Sequence, residues 1–182
     1  MDPVSDAIYS DPSAWRIDTD ASEGTLAMVM QDGPRPLFRL PRFHGSFYLR
    51  PTGRLAGFAL HLDLPEEARP ARHRGQEPPA LYWESTDLRT GTANDLDGRG
   101  MLQLGRRETW TAVSGVCSPV PYARSGLPYL KIVLETTFPS LALWWPQEAR
   151  RRLRPVLLTL FAEIRPARVG PGSPPQVPGP RR

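Results

Sequence analysis

Apolar and polar residues alternate with a period of two along most of this chain. From Arg54 to Leu64, the side chains of Phe58, Leu60, Leu62 and Leu64 share one face, and Ala59, His61 and Asp63 take the other. Tyr129 to Glu135 repeats the pattern, with Leu130, Ile132 and Leu134 opposite Lys131, Val133 and Glu135. Segments of this kind predict half-buried strands of an antiparallel sheet with one apolar side. When many follow one another, closure into a barrel removes the exposed edges. The expected fold is therefore all-β, an antiparallel barrel of about eight strands.

The same alternation orders the rest of the chain. Trp15 and Ile17 open a first strand, which resumes at Leu26, Met28 and Met30 and stops at the turn Asp32-Gly33-Pro34. Leu37 to Arg50 holds two short pieces; Pro41 lacks a donor and Gly45 a side chain, so a bend or bulge is predicted between them. Pro51-Thr52-Gly53 turns the chain into the Arg54 to Leu64 strand. Pro65 to Pro79 has four Pro and no apolar period, and predicts a surface loop. Strands follow over Ala80–Thr86, Gly100–Leu104, Thr109–Val113 and Leu130–Thr137, with a turn at Asn94–Gly98 and a loop at Cys117–Pro128. Pro139 to Leu153 predicts an irregular crossover, because Pro146 interrupts its apolar run. Val156 to Ile164 is apolar on both faces and predicts a strand between two neighbours. The expected organisation is a lead-in at 1–13, a barrel domain at 14–166 and a disordered Pro/Arg-rich tail at 167–182.

Charge changes the picture little. The four arginines from Arg165 onward account for the whole net charge of +4, leaving a neutral body. A phosphate-binding surface needs Lys and Arg clustered on one face, so no nucleic-acid partner is expected. Cys117 is the only cysteine, which excludes an intramolecular disulfide and suits a small buried hydrophobe. Met1 to Asp11 is acidic and lacks a signal-peptide pattern, and no apolar run reaches about 18 residues. No transmembrane helix is expected, and the cytoplasm is the default compartment.

Candidate chemistry is sparse. His44, His61 and His73 are scattered without metal-ligand spacing. No G-x-S-x-G occurs, Ser85 and Ser114 lie in ordinary strand contexts, and Glu84 and Glu135 face outward. No glycine-rich loop opens a helix. The expectation is a chain that is not an enzyme, with no catalytic residue, no metal and no cofactor. Trp144-Trp145 cannot both point inward from a strand, and predicts a partner or subunit contact, a homodimer included, ahead of a lid at a pore mouth. The nearby Arg150, Arg151, Arg152 and Arg154 form a solvated face or meet an anionic head group at the rim.

The order of segments resembles the YceI-like polyisoprenoid-binding family. Trp15-Arg16-Ile17-Asp18 with Ser22 resembles its W-x-I-D-x-x-x-S opening, and Gly45-Ser46-Phe47 with Gly53-Arg54-Leu55 its G-x-F and G-x-L segments. Pro79 to Leu88 is similar to P-x-I-x-F-x-S-T-x-L, and Gly100 to Gly105 to the G-x-L-T-L-x-G hairpin. Leu153 to Arg165 looks like the closing strand. The chain departs from the pattern at Ala21, where the family has His, in the Pro65 to Pro79 loop, which replaces its S-x-x-T-G segment, and at Gly105-Arg106-Arg107. Thr137 to Leu143 holds no match to its R-x-x-F-G segment. The resemblance implies a lipocalin-like barrel whose apolar pore binds a long apolar lipid, a polyisoprenoid or isoprenoid quinone, without chemistry. The expected walls are Phe47, Phe58, Leu60, Leu81, Trp83, Leu102, Ile132, Leu134, Leu158 and Leu160. The alternative is a barrel whose interior these side chains fill, acting as a protein-interaction module.

Overall fold

A computed structural model describes residues 15–50, 52–65, 80–120, 129–139 and 154–166. The lead-in at 1–13, residues 66–79 of the Pro-rich loop and the crossover at 140–153, with Trp144, Trp145 and Arg150 to Arg152, lie outside the described residues. So do His73 and the tail at 167–182.

Nine strands form one antiparallel sheet: β1 (Trp15–Met30), β2 (Gly33–Leu40), β3 (Phe43–Leu49), β4 (Leu55–Asp63), β5 (Ala80–Thr90), β6 (Asp95–Leu104), β7 (Arg107–Val120), β8 (Tyr129–Pro139) and β9 (Pro155–Pro166). The spatial order is β2-β1-β9-β8-β7-β6-β5-β4-β3. β2 and β3 thus stand at opposite ends of the sheet, yet only Pro41 and Arg42 separate them in the chain. A two-residue corner cannot span a flat sheet of nine strands spaced about 4.8 Å apart, so the sheet curls until its ends meet. The result is a half-barrel whose two end strands join at the Pro41–Arg42 corner. β2 and β3 behave as one bent strand: its first half pairs with Gly24 to Met30 of β1 and its second half with β4. The bend predicted between Pro41 and Gly45 is this corner.

Alternation places the core on the concave face. β4 buries Leu55, Phe58, Leu60 and Leu62; β5 buries Leu81, Trp83 and Leu88; β8 buries Leu130, Ile132, Leu134 and Phe138; β9 buries Val156, Leu158, Leu160 and Ile164. Each fully buried side chain of this size contributes about 1.5–3 kcal/mol of transfer free energy. β9 lies between β8 and β1, as its two-sided apolar content predicts.

Several boundaries differ from expectation. β1 is continuous, with a shift in register between Asp18 and Glu23. β5 runs on past Thr86 through an irregularity between Glu84 and Asp87 that brings Leu88 inward. Asn94–Gly98 is not a turn: the chain turns before it, with Asn94 at φ 64°, and β6 begins at Asp95 and buries Leu96. Gly98 marks a close approach instead, since a Cβ there would lie 2.5 Å from the Asp87 carbonyl oxygen. Cys117 to Val120 continues β7 instead of starting a loop. The Cys117 N–H reaches back to the Asn94 carbonyl, on the side where β6 has already ended. Two residues on, Pro119 faces the same vacated side, where its missing N–H costs no ladder bond.

Candidate functional site

All ten residues expected to line the interior face inward and are buried. They form two groups. On β3 to β6, Phe47 pairs with Phe58, and Leu60, Trp83 and Leu102 stand in one row, with Leu81 beside them. On β8 and β9, Leu134 pairs with Leu160, flanked by Ile132 and Leu158. β7 separates the groups with Thr111, Val113 and Cys117 on its inner face. Phe58 and Trp83 are both 0% exposed and meet edge to face, 4.8 Å between centroids. They are diagonal neighbours on β4 and β5, so this contact forms an aromatic stretch along one wall.

Polar atoms that alternation alone does not reveal sit on this wall. Thr136 Oγ1 lies 2.6 Å from Thr111 Oγ1 and 2.7 Å from the Ala112 carbonyl oxygen, and the Ser85 hydroxyl donates to the Arg99 carbonyl at 2.6 Å. Trp83 Nε1–H has no acceptor among the described residues. Burial pushes the Cys117 thiol up from 9.0 to about 12, which keeps it protonated and inert.

A cleft of about 570 Å³ opens at the seam where β1 and β3 lie side by side without a ladder. Its walls come from Thr19, Asp20 and Ser22 of β1, the Leu40 to His44 corner, and Asp63. None of the ten expected wall residues lines it. The local sequence builds it. The Ser22 hydroxyl donates to the Asp18 carbonyl and accepts from the Glu163 N–H, which locks the β1 irregularity and sets Thr19 and Asp20 along the seam. Pro41 offers no donor for zipping the corner shut. Gly45, at φ +151°, presses β3 onto β4, where a Cβ would lie 2.1 Å from the Ala59 carbonyl oxygen.

The remaining candidates are on the convex face. His61 stacks between His44 and Tyr82, each at 4.5 Å. Ser114 and Glu84 are exposed, and Glu135 accepts from the Thr159 hydroxyl. Among the described residues no group of three or more His, Cys, Asp or Glu could hold a metal ion. No helix among them is long and apolar enough to cross a membrane.

No protein-family model matches the chain, and no curated protein matches it. Among solved structures, the crystal structure of Burkholderia cenocepacia BcnA is similar. The match has a TM-score of 0.57 and covers 81% of this chain and 98% of that one, at 11% identity. At that identity the likeness is one of fold, and it extends over nearly the whole of the other chain. A curled sheet of this kind is compatible with holding a ligand against its concave side.

Proposed function

We propose that this chain is a non-catalytic, cytoplasmic binder of a long apolar molecule, of the polyisoprenoid or isoprenoid-quinone class that the YceI-like resemblance implies. One observation carries the proposal: the concave face is apolar along β4, β5, β8 and β9, from Leu55 to Ile164. An isoprenoid tail presents only CH groups, gains about 25 cal/mol per Å² on burial, and needs no polar partner. The fold shared with BcnA supports this reading. A second reading, a filled half-barrel that serves as a protein-interaction module, is favoured by the complete burial of Phe58, Trp83, Ile132, Leu134, Leu158 and Leu160, each 0% exposed.

Organic extraction of the purified protein followed by mass spectrometry separates the two. The binder reading expects a co-purifying hydrocarbon-rich molecule. It also expects added farnesol to raise the melting temperature, since a ligand at a hundredfold excess over its Kd stabilises by about 2.7 kcal/mol. An empty extract together with an unmoved melting temperature leaves the module reading standing.

A further inference from the structure

The seam cleft differs in character from the concave wall. Its floor is apolar, made by Leu40 and Phe43, which are 5% and 6% exposed, and its rim carries Asp20, Arg42, His44 and Asp63. Its volume of about 570 Å³ falls inside the range of roughly 300–1,000 Å³ typical of small-molecule sites. We propose that this cleft is a separate binding site for a small amphipathic amine, with its apolar body on Leu40 and Phe43 and its ammonium at the rim.

Three observations select that chemistry. The rim sets two carboxylates against one guanidinium, and neither Asp20 nor Asp63 pairs with Arg42 among the described residues. Asp63 has only the His61 ring, at 3.7 Å, as an ionic neighbour, and the Asp20 side chain has no hydrogen-bond partner among the described residues. The rim is therefore short of one positive charge. The cleft also runs between two strand edges that do not pair with each other. Open edges present both backbone N–H and C=O groups, and a primary ammonium, with three donors and no acceptor, can use the carbonyls among them. The cleft is built into the fold, since the Ser22 hydroxyl fixes the β1 irregularity on its wall and Pro41 at the corner has no N–H to offer a ladder.

A matched set of probes tests this: 4-phenylbutylamine, 4-phenylbutanol and 4-phenylbutyrate, titrated at low salt and followed by amide NMR shifts. The expected result is binding of the amine about fivefold tighter than the acid, with the alcohol between them, as two exposed charge contacts imply. Shifts should centre on Thr19 to Ser22 and Arg42 to His44. The D20N/D63N double variant, with Asp20 exposed and Asp63 half-buried, should bind the amine no better than the alcohol while binding the alcohol as before. Equal or tighter binding of the acid, which would point to Arg42, overturns the proposal. So do shifts that map elsewhere, an amine preference that survives D20N/D63N, or no binding at all. The lipid proposal is read by extraction, so either idea can fail without the other.

Discussion

Three glycine-to-alanine substitutions separate backbone strain from steric conflict. Gly33 sits at φ +120° with nothing within 4 Å of the place an added methyl would occupy, so Gly33→Ala meets conformational strain alone. At Gly115 that place lies 2.0 Å from the Val133 carbonyl oxygen, so Gly115→Ala meets a backbone collision alone. Gly45 combines both, at φ +151° with the collision at 2.1 Å and Leu60 Cα at 2.9 Å. Strain of this kind costs about 1–3 kcal/mol, and forced overpacking about 1–3 kcal/mol. Gly45→Ala should therefore lose about 4 kcal/mol, close to the sum of the other two. Domains are stable by about 5–15 kcal/mol, so a loss that large moves the urea midpoint far. Equilibrium urea denaturation with unchanged m-values reads all three. A Gly45→Ala loss below about 1 kcal/mol, or one no greater than that of Gly33→Ala, would refute the claim that β3 is pressed onto β4 at the corner.

Three further substitutions probe the convex face and the lone thiol. Glu163, whose side chain is 11% exposed, accepts from Arg165 at 2.8 Å and faces Lys131 at 3.7 Å. Glu163→Gln should cost about 1–2 kcal/mol in urea denaturation, and Lys131→Met less, because the longer contact contributes less. Iodoacetamide at pH 8 should label native Cys117 far more slowly than the urea-unfolded chain, and equal rates would contradict its burial. The folded thiol's pKa of about 12 exceeds the ordinary 9.0, so the folded state retains a proton that the unfolded state loses. That contribution to stability is full below pH 9 and declines as pH rises toward 12, a slope that Cys117→Ala should remove.

Period-two alternation exposes strand faces well, because burial on one side imposes it directly. Phe58, Leu60, Trp83, Ile132 and Leu160 all lie on the face that their spacing predicts. Strand ends are harder to read where a neighbour reverses a residue's usual meaning. Pro119 reads as a loop residue, yet it fits β7 because β6 stops short of it. Gly98 reads as a turn residue, yet it marks the approach of the Asp87 carbonyl. The seam cleft has no local signature. Thr19 and Asp20 are far from Asp63 in the chain, and only the Pro41–Arg42 corner between opposite sheet ends brings them together. A hydroxyl pair such as Thr111 and Thr136 is hidden for the same reason, since alternation reveals a side chain's face but not its partner across a strand.

Among the described residues, the ladder between β1 and β9 is the only one whose strands are not consecutive in the chain. Every other ladder joins consecutive strands, so each can form early as a local hairpin or meander. Pairing Met28 with Val156 requires the intervening chain to come round first, and the entropy of that ring closure must be met before any bond repays it. Folding should therefore finish with the β1–β2 hairpin docking on β9, and that last step also forms the seam.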